Sequence, residues 1–339
     1  MSRITRDFFI QLSNNKFLNE KAKKYGFRLG AERFVAGTTI ESVAKKIKEM
    51  NRRGISCTVD HLGEFVSDKS EARAAKNKII QVVQRIFEEK LDAHISVKLT
   101  QLGFDIDDEF CYENIKEIVD VAAKYDIFIN IDMESYKYYE RTLHIVNRLL
   151  THYDNVGTVI QTYLFRAEDD LEQLQDVRIR LVKGAYKESE KVSYQSKAEI
   201  DRNFLKLAKR RLLGEMFTSI ATHDHRIINE LKAFIKKKNI PYDRFEFQML
   251  YGFRQEMQYD LAKKGYHFCT YMPFGHDWYG YYMRRLAERP QNVNLILKEV
   301  FYQKDNQLKK EPILAASASA VALTLFIVCK KKKNAKEKK

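Results

Sequence analysis

The chain has 339 residues, of which 45% are hydrophobic and 31% are charged, with 13 glycines, 4 prolines and a formal net charge of +14. This composition indicates a globular, helix-rich body of one large or two modest domains, and it excludes a small disulfide scaffold and a low-complexity chain. A basic surplus is typical of proteins that bind nucleic acid, an acidic membrane surface or an anionic ligand.

The first 36 residues carry apolar side chains at helical spacing but no strand pattern. Phe8, Phe9 and Leu12 fall in this region, and it belongs to no strand–helix unit. We therefore expect an N-terminal helical arm over residues 1–36. Arg3 and Arg6 interrupt any apolar run near the N-terminus, so the sequence predicts no secretory signal peptide.

Eight short runs rich in β-branched and aromatic residues follow, separated by segments with helical periodicity. Ile115, Ile118 and Ala122, for example, repeat at helical spacing between the second and third runs. Strands that alternate with helices predict parallel βαβ units, and eight such units match a (β/α)8 TIM barrel, which we expect over residues 37–300. The expected strands cover residues 55–59, 94–98, 127–131, 157–163, 177–182, 217–221, 245–248 and 266–271.

The C-terminal region divides into three segments, a linker at 301–312, an apolar segment at 313–329 and a lysine-rich tail at 330–339. The apolar segment is 17 residues without a charge, and the tail holds seven lysines and one glutamate, which accounts for +6 of the net charge. A helix of that length reaches about 26 Å, a little short of the ~30 Å hydrocarbon core. Spanning would also carry the lysines outward, against the positive-inside bias.

We therefore expect the apolar segment to insert from the cytoplasmic face or to lie shallowly, with the lysines on anionic lipid headgroups. A disordered, soluble tail is the alternative. The four cysteines, at positions 57, 111, 269 and 329, have no paired spacing and are expected to be buried free thiols in a reducing cytoplasm. The expected localisation is cytoplasmic, with peripheral or C-terminal membrane association.

Polar residues stand at the carboxyl end of every expected strand, where the active site of a (β/α)8 barrel lies. One such residue would be an ordinary solvated loop, but all eight strand ends carry them. In strand order they are Asp60 and Glu64, Lys98, Asp132 and Glu134, Gln161, Arg180 and Lys183, His223 and Asp224, Gln248, and Tyr271.

The helix expected after the eighth strand places polar side chains on one face. Tyr281, Arg284, Arg285 and Glu288 stand at i, i+3, i+4 and i+7. Adjacent arginines at the barrel mouth suit a carboxylate ligand, which a guanidinium binds through paired hydrogen bonds. Buried arginines require counter-charges, and we expect Glu64 or Asp60 to supply them.

Two further features favour an anionic ligand. Gly184, in the sequence Lys183-Gly184-Ala185, permits close backbone approach to a flat ligand, and Lys197 lies near a helix start, where phosphate is favoured. His223 has one close histidine partner, which is too few donors for a metal site, so no metal is expected. The dinucleotide fingerprint G-x-G-x-x-G is absent, so a Rossmann domain is not supported.

These residues leave three classes of protein open. One is a barrel enzyme that binds a carboxylate and a phosphate-bearing cofactor. A second is a barrel enzyme that uses Schiff-base chemistry at Lys98 or Lys183 on a phosphorylated or carboxylate substrate. A third is a non-catalytic basic protein that binds membranes or nucleic acid. Lysines mixed with acidic residues on the helices indicate solvated faces and argue against nucleic acid.

Four motifs resemble the proline dehydrogenase family, in its monofunctional bacterial form. They are RLVKGAY at 180–186, ATHD at 221–224, FQMLYG at 247–252 and YYMRRLAERPQN at 281–292, within a resemblance that spans residues 30–300. The resemblance implies a distorted (β/α)8 barrel that holds FAD at the strand ends. It also implies oxidation of L-proline to pyrroline-5-carboxylate by hydride transfer, with electrons passed to membrane quinone.

The resemblance implies a role for each matching residue. Arg284, Arg285 and Lys98 would bind the proline carboxylate, and Asp60 and Glu64 would hold the arginines through ion pairs. Arg180 would reach the flavin nitrogen that receives the hydride, and Asp132 would orient its neighbours. The ring of proline would be walled by Tyr271, Tyr281, Leu250 and Ala185. The flavin and its phosphate chain would be lined by Gln161, Lys183, Gly184, Tyr186, Lys197, Thr222, His223, Gln248 and Glu288.

Overall fold

The computed structural model describes residues 31–63 and 66–288, and side chains as far as residue 285. Most of the expected N-terminal arm, Glu64, and all of the linker, the apolar segment and the lysine tail lie outside the described residues, as does the side chain of Glu288. Within the described part, no helix combines the length and the apolar character needed to cross a membrane.

Eight parallel strands form a closed barrel in sequence order, as the alternating pattern predicts. Each expected strand is found within a few residues of its predicted bounds. The strands are β1 Ser56–His61, β2 Ala93–Val97, β3 Ile129–Ile131, β4 Val156–Gln161, β5 Ile179–Val182, β6 Thr218–Ala221, β7 Phe245–Leu250 and β8 Phe268–Phe274. The (β/α)8 fold class is confirmed.

Nine α-helices lie in the described part of the chain, and eight of them run between or beside the strands. The helical stripe predicted from Ile115 to Ala122 is the buried face of the third helix. In chain order the helices are α1 Ile40–Asn51, α2 Lys69–Glu88, α3 Asp108–Ala123, α4 Tyr139–Leu150, α5 Ala167–Gln173, α6 Lys197–Leu212, α7 His225–Lys238, α8 Gln255–Lys263 and α9 Trp278–Glu288.

The barrel closes where β1 pairs with β8, from Ser56 beside Cys269 to His61 beside Phe274. Helix α1 covers this seam, because its apolar face of Val43, Ile47 and Met50 is buried and the helix packs on both strands. The helix begins at a capping box formed by Thr39 and Ser42, which satisfies free backbone N–H groups at its start. A helix from the N-terminal side of the barrel thus fills the position beside the last strand.

Helix α9 lies over the carboxyl ends of the strands. Trp278 and Tyr282 are buried in an apolar cluster with Phe34, with Leu62 after β1, and with Phe253 after β7. The helix also packs against a short 3-10 turn, Ala31–Arg33. Side chains on α9 are therefore held at the barrel mouth, where the sequence predicted the site.

The inside of the barrel is polar to an unusual degree. Barrel interiors are generally filled by Val, Ile and Leu, but Thr58, Ser96, Arg180, Ser219 and Glu246 are all buried here. Each is held by hydrogen bonds to other interior side chains. Because buried polar groups are costly unless they are paired, this interior is built around specific contacts.

Three of the four cysteines are described, and all three are buried free thiols, as predicted: Cys57, Cys111 and Cys269. Burial raises the pKa of each thiol well above its ordinary value. The thiols therefore stay protonated and poorly reactive. Cys329 lies outside the described residues.

Candidate active site

Five polar side chains from five different strands, or from the residue that directly follows the strand, meet at the carboxyl end of the barrel. The Nζ atom of Lys98 lies 2.6 Å from Oδ2 of Asp60 and 3.8 Å from Oδ2 of Asp132. Arg180 donates from Nη1 to Oδ1 of Asp132 at 2.7 Å. The hydroxyl of Tyr271 lies 2.7 Å from Asp60 and 2.9 Å from Asp132. We call these five residues the mouth cluster.

Two cations and two carboxylates balance within the mouth cluster, and Tyr271 links the carboxylates. A tyrosine hydroxyl has one proton, so it can donate to Asp60 or to Asp132 but not to both at once. The carboxylates also accept from Lys98 and Arg180, and Asp132 accepts a further hydrogen bond from Asn130. The cluster is therefore held by charge-assisted hydrogen bonds, which are shorter and stronger than neutral ones.

Burial raises the pKa of two acidic groups in the cluster, Asp60 and Tyr271. Asp60 is 1% exposed. Burial raises the pKa of Asp60, and the charge of Asp132 adds to this, although Lys98 opposes it. Burial also raises the pKa of Tyr271 well above its ordinary value, with further contributions from Asp132 and Asp60. The hydroxyl of Tyr271 is therefore a lasting hydrogen-bond donor at neutral pH.

Arg180 is fixed from below by two hydroxyl groups. Its Nη2 atom donates to Oγ of Ser96 at 2.8 Å and to Oγ1 of Thr58 at 3.2 Å, and the residue is only 4% exposed. Its Nε atom is buried and has no hydrogen-bond partner within the described residues. Thr58 and Ser96 were not predicted, although each stands two residues before a predicted site residue on the same face of its strand.

One expected pairing is wrong. Asp60 was expected to hold the arginines of the last helix, but among the described residues its cationic partner is Lys98. The register explains this, because Asp60 pairs with Ser96 of β2, two residues before Lys98. Arg284 and Arg285 are half-buried on α9, and the guanidinium of Arg285 lies 4.9 Å from the ring centre of Tyr281. Glu64, the other expected partner, is not described.

The expected wall residues fall into two groups. Tyr281 is buried in the apolar cluster beneath α9, and Leu250 packs against that cluster from the end of β7. Tyr271 faces the mouth cluster. Ala185 and Tyr186 are exposed in the loop after β5, and Tyr186 is 40% exposed. The structure thus brings Tyr281 and Leu250 to one apolar wall but leaves Ala185 at the rim.

Two glutamines present unpaired oxygens inside the barrel. Gln161 ends β4 and donates from Nε2 to the backbone oxygens of Met133 and Glu134. Gln248 in β7 donates from Nε2 to Glu246. The Oε1 atoms of both glutamines are buried and have no hydrogen-bond partner within the described part of the chain. Buried acceptors of this kind fit a ligand that carries N–H or O–H donors.

Gly184 allows a close contact in the loop after β5. Its φ angle is +114°, and a Cβ atom at this position would lie 2.3 Å from the ring of Tyr163. The ring of Tyr163 fills the space of a side chain, so only glycine fits here. The unpaired acceptors of Gln161 and Gln248 remain the features that fit the flavin implied by the sequence motifs.

A second polar cluster lies where two helices begin. Lys197, at the start of α6, pairs with Asp201 and lies 3.5 Å from Asp224, the N-cap residue of α7. Lys183 pairs with Asp201 and lies 3.7 Å from Asp224. Burial opposes ionisation of Asp224, but hydrogen bonds from Arg226 and the charges of Lys183 and Arg226 hold its pKa below the ordinary value. Cations and two helix N-termini at one place suit a phosphate group. Asp201 was not predicted.

His223 and Thr222 stabilise the loop after β6. The Nε2 atom of His223 accepts the backbone N–H of Leu250 at 3.0 Å, and its ring lies 5.3 Å from that of Phe253. The hydroxyl of Thr222 accepts the N–H of Asp224 at 3.2 Å. His223 therefore connects the ends of β6 and β7.

Comparisons with known proteins agree on one family. The family model described as proline dehydrogenase matches residues 43–296. The chain is 45% identical over 297 residues to proline dehydrogenase 1 of Bacillus subtilis subsp. natto, which covers 87% of this chain and 98% of the relative. It is 38% identical to proline dehydrogenase of Deinococcus radiodurans over 275 residues, 79% of this chain and 89% of the relative.

A solved structure has the same fold. It is proline utilization A from Bdellovibrio bacteriovorus, inactivated by N-propargylglycine, with a TM-score of 0.73 and 26% identity. The match covers 82% of this chain and 34% of that one, so this chain spans about a third of the length of the larger protein.

Proposed function

Because the chain belongs to the proline dehydrogenase family, we propose that it oxidises L-proline to pyrroline-5-carboxylate, the first step of proline catabolism, with hydride transfer to FAD and electrons passed on to membrane quinone. The observation that carries this proposal is the mouth cluster, covered by a helix with two adjacent arginines. Such a site suits a small substrate that bears one carboxylate and one apolar ring.

Arg284, Arg285 and Lys98 bind the carboxylate of proline. The two arginines supply planar donors, and Lys98 supplies a point charge from the opposite side. Lys98 is already held by Asp60 at 2.6 Å, so it is positioned before the substrate arrives. Holding a substrate in reactive geometry contributes about 7–11 kcal/mol to lowering the barrier of comparable reactions.

The apolar ring of proline packs between Tyr271, on the floor of the site, and Tyr281 and Leu250 below α9, with Ala185 at the rim. Tyr281 is 6% exposed and lies in a continuous apolar cluster. The helix therefore excludes water from the reacting carbon, which strengthens every charge interaction inside the site.

FAD, when bound, supplies the electron sink that side chains lack. Arg180, which Asp132, Ser96 and Thr58 hold in place, would contact the central ring of the flavin. Lys183 and Lys197 bind the phosphates. The flavin and its chain are lined by Gln161, Gly184, Tyr186, Thr222, His223, Gln248 and Glu288.

The C-terminal region attaches the protein to the membrane, where its electron acceptor lies. The lysine tail at 330–339 binds anionic lipid headgroups, and the apolar segment at 313–329 inserts from the cytoplasmic face or lies shallowly. A cytoplasmic enzyme held at the membrane surface in this way meets a quinone in the bilayer.

The visible spectrum of the purified protein tests the proposed activity. We expect flavin absorbance near ~450 nm that L-proline bleaches under anaerobic conditions and that quinone restores. The Schiff-base alternative predicts a colourless protein, and so does a non-catalytic binding protein. A colourless protein that cannot be reconstituted with FAD would contradict the proposal.

A further inference from the structure

We propose that Glu246 is a positioning residue that orients the amide of Gln248, so that the carbonyl oxygen of this glutamine faces the bound flavin. The inference rests on the proposed binding of FAD. It concerns a residue inside the barrel, below the mouth cluster, that neither the strand-end pattern nor the family motifs singled out.

The geometry around Glu246 fixes which end of the amide faces it. Glu246 and Gln248 stand two residues apart on β7, so both side chains point into the barrel. Oε1 of Glu246 accepts from Nε2 of Gln248 at 2.6 Å and from Oγ of Ser219 at 2.6 Å. An ionised carboxylate only accepts hydrogen bonds, so the NH2 group of Gln248 must point toward it.

Glu246 also forms an ion pair with a mostly buried arginine, Arg178. Nη2 of Arg178 lies 3.6 Å from Oε1 of Glu246. The guanidinium of Arg178 lies between two rings, 4.1 Å from the centre of Phe128 and 4.4 Å from that of Phe217. The guanidinium that pairs with Glu246 is therefore held in place by the two rings.

The orientation leaves the other end of the amide available for a ligand. Oε1 of Gln248 is buried and finds no hydrogen-bond partner among the described residues. A buried acceptor without a donor is destabilising, and the flavin carries N–H and O–H donors that can satisfy it. If the amide turned over, its NH2 group would face those donors and the contact would be lost.

A metal ion is the competing interpretation of the same residues. One candidate ligand atom each from His94, Glu246 and Cys269 lies within 4.8 Å of the others, and all three residues are buried. Arg178 already supplies the positive charge at Glu246. The positive charges of Arg178 and Arg180 both act on His94, and a further cation at this place would be repelled by them. We therefore assign Glu246 to Gln248 and not to a metal.

The experiment is a double-mutant cycle on Glu246 and Gln248 in the full-length protein. The quantity measured is the dissociation constant of FAD, obtained by fluorescence titration of the apoprotein. Glu246→Gln retains the shape of the side chain but offers both a donor and an acceptor, so the amide of Gln248 can turn over. We expect FAD to bind at least tenfold more weakly. In a Gln248→Leu background, Glu246→Gln should change the constant by less than twofold, because no amide remains to be oriented.

A matched control separates orientation from general damage. Ser219→Ala removes the other 2.6 Å hydrogen bond to the same oxygen of Glu246, and we expect FAD binding within twofold of the unmodified protein. An equal loss of FAD affinity from Glu246→Gln in both backgrounds would overturn the proposal, as would a stoichiometric metal ion in the purified protein.

Glu246→Gln leaves the charge of Arg178 unpaired and could prevent folding. In that case the double variant Arg178→Met/Glu246→Gln, which has no unpaired charge, replaces Glu246→Gln in the cycle. The proposed function is tested on the unmodified protein, and it is refuted if that protein does not bind FAD and shows no flavin bleaching by proline. If the unmodified protein does both and the cycle shows no coupling, only the role of Glu246 is refuted.

Discussion

Individual residues at the barrel mouth differ in how they are held. Lys98 is fixed by Asp60 at 2.6 Å, whereas Arg285 lies over the ring of Tyr281 on a helix that covers the site. Lys98 therefore contributes to the structure of the mouth cluster, while the proposed function assigns Arg285 to the carboxylate of the substrate. Substituting Arg285 tests substrate binding with the least disturbance of the barrel.

Arg285→Met should raise KM for proline about 10–100-fold, since a hydrogen bond to a charged group contributes about 1.5–3 kcal/mol. Flavin content should stay unchanged. Steady-state kinetics with an artificial acceptor measure this, and Arg202→Met, an exposed arginine of α6, is the control. An unchanged KM would refute the carboxylate role of Arg285.

His61, the last residue of β1, makes stability depend on pH. Burial lowers the pKa of His61 to about 4, and its Nδ1 atom lies 3.0 Å from Nε2 of Gln101. Between about pH 4 and pH 6.5 the unfolded chain binds a proton that the folded chain does not, so stability present above pH 6.5 is lost as the pH falls through this window. The difference between the pKa of His61 in the unfolded chain and in the folded chain limits the loss in the free energy of unfolding to about 3 kcal/mol. Partial exposure of the ring reduces this loss to roughly 2 kcal/mol.

Urea unfolding at about pH 7 and about pH 4.5 measures this effect. The stability advantage of the unmodified protein over His61→Gln should shrink by roughly 2 kcal/mol at the lower pH. His152→Gln, at an exposed position, should show no such change. A constant advantage at both pH values would contradict the role assigned to His61.

The sequence predicted the members of the mouth cluster but not all of their contacts. A polar residue after a strand is a local signal, and it identified Asp60, Lys98 and Asp132. The partner of Asp60 depends on the register between β1 and β2, which no local pattern determines. Ser96 and Glu246 were not predicted because they lie inside their strands, whereas the site residues were predicted from the strand ends.

At the scale of elements, helix α9 depends on a close backbone contact made far from its own sequence. Gly252, after β7, has a φ angle of +78°, and a Cβ atom there would lie 1.5 Å from the backbone oxygen of Arg33. Arg33 ends the 3-10 turn on which α9 packs. A side chain at residue 252 would push the turn away and carry α9 with it.

Gly252→Ala should therefore lower the free energy of unfolding by at least ~3 kcal/mol and raise KM for proline, because the arginines of α9 move. Gly265→Ala is the matched control, with a φ angle of +84° and open space around it. Gly265→Ala should lower the free energy of unfolding by about 1–2 kcal/mol through backbone strain alone and leave KM for proline unchanged. Equal effects of the two variants on stability and on KM would contradict this account.

Helix α9 also shows what an amphipathic pattern cannot predict. The spacing of its polar residues predicted a helix with one polar face, and a helix is present. Its position over the strand ends follows from helix α1, which occupies the place beside β8 and β1. That arrangement depends on contacts between the two ends of the barrel sequence and not on either segment alone.

At the scale of the whole molecule, the net charge of +14 divides between the catalytic barrel and the tail. The ten C-terminal residues hold +6. Each lysine near an anionic surface contributes about 1 kcal/mol, which is the basis of the proposed attachment of the tail to the membrane. The eight strands were predictable as a set because a barrel repeats one local pattern, whereas the tail belongs to no repeat.

Flotation with lipid vesicles tests the tail. The full chain should float with vesicles that contain anionic phosphatidylglycerol, and a version that ends at Glu311 should remain at the bottom of the gradient. A version that ends at Cys329 keeps the apolar segment without the lysines, and its flotation should be weaker and insensitive to salt. Equal flotation of all three would refute membrane attachment through this region.

The seam between β1 and β8 has a consequence for how the protein is made. Ser56 donates a hydrogen bond to the backbone of Phe268, 212 residues further along the chain. On a ribosome, β1 and helix α1 emerge long before β8 exists, so the apolar surface that they bury against β8 stays exposed until late in synthesis. The barrel is completed only when the last strand arrives, and the same event brings α9 and its arginines over the opening. An unfinished chain therefore lacks the lid of its own active site, which delays activity until translation has passed the entire barrel.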